Sequence, residues 1–427
     1  MSQIHMLREQ SFLVYGLGSS GASVIKFFKR NKIKNFKVWD DEKINSFVKY
    51  KAKNLDKTLE IVDFIVLSPG VSLIKNRCLR KFEKKIITDI DLFFITNNES
   101  KSIVVTGTNG KSTTCKLLAH LLKKNKFKTF LGGNIGTPIL DIQNSKNDYV
   151  IIEASSFQLS HSKFISPDYA FFLNFTNDHL DWHGNITNYL NSKLKIFQLQ
   201  TKKNYAIIDK KYKKFFIQKK FLSNLIHPNK KRYFKTKLKI NNEYLISKIN
   251  DENMNFVYTF SRLMRISEKS FIRSMKTFKG LPHRFEIFIK KKYLTFINDS
   301  KATTFEASQS ALSSCTNIYW ILGGFPKKGN KIKLSGIKKN IIKCYIIGNY
   351  TNFFKKQVQG KVSFSITKNL KNSIIKILKD VKLTNKVRSS ILLSPSAASY
   401  DQFNNFEKRG EEFKRLCKKY EGKFFKT

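Results

Sequence analysis

The sequence predicts an α/β protein of more than one domain, built on parallel sheets. Three observations carry this. Short apolar runs alternate with helical patterns, and polar clusters stand where the runs end, as in doubly wound sheets. One such strand–turn–helix step carries the residues of a phosphate-binding loop. The length of 427 residues exceeds what one core normally holds, so two to three domains are expected.

The first element to justify is that loop, Val104-Val105-Thr106-Gly107-Thr108-Asn109-Gly110-Lys111-Ser112-Thr113. The apolar run from Ile103 to Val105 feeds a small-residue turn, and a helical pattern follows through Cys115, Leu117, Leu118, Leu121 and Leu122. Glycines let backbone N–H groups close around an anion, and the helix N-terminus adds partial positive charge. Lys111 would reach the outer phosphates, and the hydroxyl of Ser112 or Thr113 would ligate Mg²⁺. Gly107 and Gly110 stand closer than the general pattern asks, so this is a tighter form of it. The alternative is a glycine–serine turn before an ordinary helix.

Ahead of the loop, a strand from Ser11 to Tyr15 runs into Gly16-Leu17-Gly18-Ser19-Ser20-Gly21, then a helix through Ala22, Ile25 and Phe28. A second strand, Phe36 to Trp39, ends in Asp40-Asp41. This is the Rossmann-like layout of a dinucleotide-binding βαβ unit, and a nucleotide-phosphate role is favoured over a purely structural turn. A third strand, Asp63 to Leu67, ends in Ser68-Pro69-Gly70-Val71, and ligands sit at such strand ends. The unit closes near Asp89 to Phe93, and Asn97 to Ser100 reads as a polar linker.

In the second domain, Phe130 to Pro138 forms a glycine-rich loop that leaves Asn134 available to a ligand. A strand from Tyr149 to Ile152 runs into Glu153, well placed for Mg²⁺ beside a phosphate loop; the alternative is a carboxylate complementing a helix dipole. A strand from Ala170 to Leu173 precedes Asp178, His179, Asp181 and His183, a candidate metal site to which His183 need not belong. A helix from Thr187 to Gln198 carries Tyr189 and Lys193 one turn apart, and its physics alone makes Lys193 a solvated lysine. Residues 201–278 read as lysine-rich strands and turns with a helix near Val257 to Met264. Gly280 to Glu286 marks a boundary.

The third domain alternates strands and helices. Leu294 to Ile297 ends in Asn298-Asp299-Ser300-Lys301-Ala302-Thr303, and Ile318 to Leu322 ends in Gly323-Gly324. Strands follow at Cys344 to Ile347 and Ser390 to Leu393, the latter ending in a polar loop to Phe403 before a charged helix. The expected domains are residues 1–95, Rossmann-like; 96–280, a central P-loop ATPase-type parallel sheet; and 281–427, again Rossmann-like.

Lys and Arg number 80 against 31 Asp and Glu, a formal charge of +49 and a pI near 10.0. The lysines are spread along the whole chain among many Asn, Ile and Phe. That pattern places lysine on any tolerant solvated face, so a nucleic-acid partner is not expected, although the field would help capture anionic substrates. The five cysteines show no paired spacing, which argues against a zinc knuckle or a disulfide framework and fits a reducing cytoplasm. No signal peptide or membrane-spanning run is expected.

Together these stretches resemble the Mur ligase family, ATP-dependent amide-bond-forming enzymes of peptidoglycan precursor synthesis. The markers follow the family's order along nearly the whole chain: Gly107 to Thr113, Gly132 to Gly136, Glu153 to Leu159, Asn174 with Asp178-His179, and Tyr189 with Lys193. Leu281 to Glu286, Asn298 to Thr303, and Leu393-Ser394-Pro395 with the stretch Ala398 to Gly410 are similar to the D-glutamate-adding members in particular.

The resemblance implies an N-terminal domain holding the UDP end of the substrate, a central ATPase domain, and a C-terminal domain closing over the nucleotide. It implies UDP-N-acetylmuramoyl-L-alanine and D-glutamate as substrates, ATP and two Mg²⁺ ions, a cytoplasmic monomer, and no nucleic-acid or membrane partner. Gly16, Gly18, Asp40, Ser68, Asn134 and Ser155 would serve the UDP substrate, Asp40 near the uracil or ribose. Gly107 to Thr113, Asn253, Arg284 and Asp299 would hold ATP, with Asn253 at the adenine. Lys111, His179, Lys193 and Lys301 match catalytic positions. Ser112, Glu153, His179 and Lys193 match the metal site, with Lys193 the lysine that family members carbamylate. Thr303, Lys327, Ser399 and Phe406 match the D-glutamate pocket. The chain departs from the family at Ser247 to Asn250, at Asp91, at Trp182, and at Phe325-Pro326-Lys327-Lys328, where either lysine would face the substrate. The rivals are another amino-acid ligase of the family and a basic nucleic-acid-binding NTPase.

Overall fold

In the computed structural model, residues 3–42, 47–74, 76–96, 99–176, 178–246, 250–327, 329–383 and 387–424 are described. Their strands form three sheets. The first contains β1 (Phe12–Tyr15), β2 (Phe36–Trp39), β3 (Phe64–Leu67) and β4 (Ile86–Ile87), all parallel, in the order β2-β1-β3-β4. β1 is buried along its whole length, as a strand covered on both faces must be. Its two neighbours lie on opposite sides, so the chain reverses direction across the sheet at the C-terminal end of β1. Ligands of open parallel sheets bind at such a point, and the Gly16 loop occupies it.

The second sheet runs β10-β9-β8-β5-β7-β6 and is also parallel. Its strands are β5 (Lys101–Thr106), β6 (Thr129–Gly133), β7 (Tyr149–Glu153), β8 (Tyr169–Phe172), β9 (Tyr205–Ile208) and β10 (Asn224–Ile226). β5 is central, and the phosphate loop leaves its C-terminal end directly into the helix Lys111–Lys124. The third sheet runs β11-β12-β16-β13-β14-β15. It contains β11 (Glu286–Lys290), β12 (Leu294–Asn298), β13 (Ile318–Gly323), β14 (Ile341–Ile347), β15 (Phe364–Lys368) and β16 (Ser389–Leu393). Only β11, at its edge, is antiparallel. The two-residue period of a strand sorts β13 onto two cores: Ile318, Trp320 and Leu322 pack on one face, Tyr319 and Ile321 on the other.

The chain divides into two compact units, one of residues 1–239 with 252–276, the other of residues 240–251 with 277–427. The first unit contains two sheets, and one continuous core serves both: Val14, Phe28 and Phe93 belong to the same cluster as Ile139, Ile152 and Phe172. Asp91 reinforces the join, its carboxylate accepting the backbone N–H groups of Lys163 and Phe164 at 2.8 Å each. Between residues 240 and 280 the sequence reading needs correction. Helix Glu243–Ile246 lies where strands and turns were expected, and the helix expected near Val257 to Met264 is present but begins earlier, as Asp251–Leu263, opening on two acidic residues that favour a helix N-terminus. The departure at residues 247–249 and the linker residues 97–98 lie outside the described residues.

Candidate active site

The phosphate loop is built as its residue types require. Gly110 caps the helix Lys111–Lys124 at φ 83°, and a Cβ there would stand 2.1 Å from Asn253 Oδ1. A side chain is excluded by both backbone and space. Asn174 pins the turn from the end of β8: its carbonyl accepts Thr108 N–H at 3.0 Å and its side-chain oxygen accepts Asn109 N–H at 2.8 Å. Lys111 Nζ donates to the carbonyls of Gly107 and Thr108, both at 2.9 Å, so the ammonium stays at the loop. Ser112 and Thr113 are buried in the first turn of the helix. Asn253 lies beside the loop, accepting from Thr114 Oγ1 at 3.3 Å.

Lys193 corrects the sequence physics. It is 1% exposed rather than solvated, and its Nζ donates to Gly107 O at 2.7 Å, the carbonyl that Lys111 also uses. Burial, and then the Lys111 ammonium, push the Lys193 pKa well below the ordinary lysine value, while Asp178 opposes them. The direction favours the neutral amine more than at an exposed lysine. The Tyr189 ring lies 4.5 Å beneath it, and Tyr189 OH meets Thr108 Oγ1 at 3.1 Å. The helix Ile186–Leu194 thus aims both residues at the loop, one turn apart.

Glu153 ends β7, the strand beside central β5, and is 2% exposed. One of its oxygens, Oε1, accepts Asn134 Nδ2 at 3.0 Å; the other, Oε2, is buried and has no hydrogen-bond partner. A buried carboxylate oxygen without a donor is costly unless a cation meets it, so this site fits Mg²⁺. The cluster from Asp178 to His183 is different. His179 lies partly exposed against Phe157, its Nε2 3.4 Å from Asp178, whereas His183 turns inward to Ser156 Oγ at 3.0 Å. Among the described residues no three His, Cys, Asp or Glu side chains gather into a metal cage. The Asp181 side chain and Asn177 lie outside what is described.

At the switch point of the first sheet a cavity of about 880 Å³ is lined by Gly16, Gly18, Asp40 and Ser68, and across from them by Asn134 and Gln158. Gly21 lets the following helix approach the strand: a Cβ there would lie 2.0 Å from Gly16 O. Asp40 accepts the backbone N–H of Leu17 and, at 2.9 Å, that of Glu42, which fixes the rim. Asn134 touches both this cavity and Glu153, and so links the two sites. Ser155 lies apart in role: its hydroxyl and Gln158 form a capping box at the helix Ser156–His161. Sequence reasoning missed the network in which Asn76 Nδ2 donates to Tyr15 OH (2.8 Å), which in turn donates to Asp41 (2.9 Å). Only the position of Asp41 beside Asp40 hinted at it.

In the second unit, loops from β12, β13 and β16 converge. Lys301 Nζ sits 4.7 Å over the Phe406 ring, and Ser300 Oγ donates to Phe406 O at 2.8 Å. Thr303 caps no helix itself; Thr304 does, and Thr303 stays partly exposed beside it. Asn330, which nothing in the sequence singled out, joins three pieces. It accepts Phe305 N–H at 2.9 Å, donates to Ser396 O at 2.6 Å, and its own N–H reaches Lys327 O at 3.1 Å. Lys327 is partly buried, Lys328 lies outside the described residues, and Ser399 is buried. Asp299 turns inward, accepting Phe285 N–H at 3.1 Å and Ser394 Oγ–H at 2.7 Å, and burial raises its pKa to about 7 despite Arg284 nearby.

Residues 105–245 match the Mur ligase middle domain. The fold agrees with that class: MurF ligase from Thermotoga maritima in complex with ADP is similar over 97% of this chain and 99% of that one, with a TM-score of 0.59 at 16% identity. At such identity the likeness concerns fold alone. The sequence carries it further. This chain is 35% identical to UDP-N-acetylmuramoylalanine–D-glutamate ligase of Rickettsia felis, over 96% of its own length and 98% of the relative's. It is 36% identical to the same ligase of Rickettsia prowazekii, over 97% and 99%. The chain belongs to the Mur ligase family, in the branch of the UDP-N-acetylmuramoylalanine–D-glutamate ligases.

Proposed function

We propose that this chain forms the amide bond between the L-alanyl carboxylate of UDP-N-acetylmuramoyl-L-alanine and the amine of D-glutamate, with ATP hydrolysed to ADP and phosphate, as a step of peptidoglycan precursor synthesis. The reading rests on the near-full-length identity to relatives of that name. The site's chemistry is consistent with it. The substrate carboxylate attacks the γ-phosphorus of ATP, ADP leaves, and an acyl phosphate forms. The D-glutamate amine then attacks the acyl carbon, and the tetrahedral intermediate expels phosphate.

Carboxylate and triphosphate are both anions, so cations must hold them in line. In our reading Gly107 to Thr113 cradle the phosphates and Lys111 stabilises the transferred one. Glu153 and Ser112 hold one Mg²⁺, and His179 with carbamylated Lys193 supports a second; the metal supplies charge neutralisation between the two anions. A neutral amine is the form that adds CO₂, and the burial that lowers the Lys193 pKa favours that form. The carbamate would turn a cation into a carboxylate under the loop.

The cavity at Gly16, Gly18, Asp40 and Ser68 takes the UDP moiety, and Asn134 stands between it and the metal. Asn253, Arg284 and Asp299 serve ATP, Lys301 the transferred phosphate, and Thr303, Lys327, Ser399 and Phe406 the D-glutamate. Three sheets carry the three tasks of UDP substrate, ATP and amino acid. Five free cysteines and no helix, among the described residues, long and apolar enough to cross a membrane are in keeping with a cytoplasmic enzyme. A monomer suffices for these parts.

The test is phosphate release from ATP with UDP-N-acetylmuramoyl-L-alanine and D-Glu, L-Glu, L-Ala or no amino acid. Release that depends on both the nucleotide substrate and D-Glu is expected. Release with another amino acid would overturn the pocket assignment, and release driven by RNA instead would overturn the reading.

A further inference from the structure

Arg409 is the largest charged side chain sealed in the second unit, 1% exposed near the start of the helix Phe406–Phe424. Its hydrogen bonds bring no carboxylate to it. Nε donates to Ser300 Oγ (3.1 Å), Nη2 to Ser300 O (2.8 Å) and Ala397 O (3.0 Å), and Nη1 to Ala398 O (3.2 Å). A guanidinium in apolar surroundings is expensive to bury, and a surface salt bridge would have cost less. What this one gains is a planar fork that meets several carbonyls at fixed angles.

Those acceptors lie on two different loops, and a third touches them. Ser300 immediately precedes Lys301 and Thr303. Ala397 and Ala398 immediately precede Ser399. Ala398 also pairs with Phe325 in both directions, at 2.9 and 3.0 Å, and Phe325 leads to Lys327. Gly324 completes the packing: a Cβ there would stand 3.1 Å from Arg409 Nη1 and 2.4 Å from Ala398 O. A single guanidinium therefore sits beneath every loop assigned above to the amino-acid substrate.

We infer that Arg409 is a positioning residue for the amino-acid site, a buried fork that fixes the Ser300–Thr303, Phe325–Lys327 and Ala397–Ser399 segments in one mutual arrangement. It touches no substrate; it sets the spacing of the groups that do. Its charge is met by no carboxylate among its hydrogen-bond partners, and Asp401 is the acidic side chain whose field reaches it. The inference rests on the reading of these loops as the D-glutamate site.

Arg409→Lys keeps the charge but cannot span four acceptors from one tetrahedral nitrogen. Steady-state kinetics of folded Arg409→Lys should show the KM for D-Glu raised about tenfold or more, since small displacements of positioning groups cost that much. The KM values for ATP and for UDP-N-acetylmuramoyl-L-alanine should stay within about twofold, because neither is held by these loops alone. Ser300→Ala removes the Nε acceptor, together with the Ser300 Oγ–H bond to Phe406 O at the start of the same helix, and makes no large cavity. It should raise the D-Glu KM by about threefold with the same selectivity, and it decides the matter if Arg409→Lys does not fold. An unchanged D-Glu KM in Ser300→Ala and in any folded Arg409→Lys, or three KM values rising together, overturns the inference. A wild-type enzyme whose phosphate release ignores D-Glu instead overturns the function on which it rests.

Discussion

Lys193 is the residue on which sequence physics and structure part most sharply. Among 80 basic residues nothing in its spacing separates it from a solvated lysine. Only tertiary packing brings its Nζ under Gly107, and only the family resemblance marked it in advance. Lys193→Ala should lower kcat about a hundredfold, and short carboxylic acids added to the mutant should restore part of it. Full activity of the mutant at low bicarbonate would exclude a carbamate. Glu153 was singled out for Mg²⁺, over a carboxylate complementing a helix dipole, because it ends a strand beside a phosphate loop. Glu153→Gln should raise the Mg²⁺ concentration needed for half-maximal activity by about tenfold or more while leaving the melting temperature near that of the wild type. Asp299 gives a pH signature. Its carboxyl titrates near 3.8 in an unfolded chain and near 7 when folded. Between those values the folded state holds a proton that the unfolded state has released, so stability is lost as pH rises through this window, by at most about 1.4 kcal/mol per unit. Asp299→Asn, neutral throughout, should flatten the fall in melting temperature between pH 4 and pH 7. A parallel fall in mutant and wild type would show that the carboxyl ionises freely.

Among the elements, the glycine loops were easy to find and hard to grade. Gly16, Gly18 and Gly21 look equivalent in the sequence, yet a Cβ at Gly18 meets nothing within 4 Å, whereas at Gly21 it would strike Gly16 O. Gly18→Ala should therefore alter stability by no more than about 0.5 kcal/mol, so any loss of affinity for the UDP substrate reports contact with the ligand. Gly21→Ala should destabilise by about 2 kcal/mol or more, because helix and strand must separate. Thermal melting of the two variants distinguishes these outcomes. The phosphate loop was legible in full because its types, order and strand–helix context all agree. In the loops of the second unit, Lys301, Thr303 and Ser399 are marked for a role only by resemblance. Asn330 and Arg409 act through backbone carbonyls, and a carbonyl carries no sequence signal.

For the whole molecule, alternation of strand and helix was enough to foresee three largely parallel sheets. Weak edge strands such as β10, three residues long and half exposed, were not singled out because so short a run shows no period-two pattern. The merging of the first two sheets into one compact unit was hidden for a different reason. A linker can be read from polarity, but the shared core of Phe93, Ile139 and Ile152 depends on which faces meet. The +49 charge resolves into lysines on solvated surfaces, such as the helix Lys230–Lys237, which buries only Tyr233 and Thr236.

The central claim is that this chain makes an amide through an acyl phosphate on its nucleotide substrate. The most direct measurement uses UDP-N-acetylmuramoyl-L-alanine labelled with ¹⁸O in its alanyl carboxylate, together with ATP and D-Glu. One labelled oxygen should appear in the released phosphate, with one phosphate formed for each amide bond. Phosphate free of label would mean that water, not the carboxylate, takes the phosphoryl group, and would contradict the account.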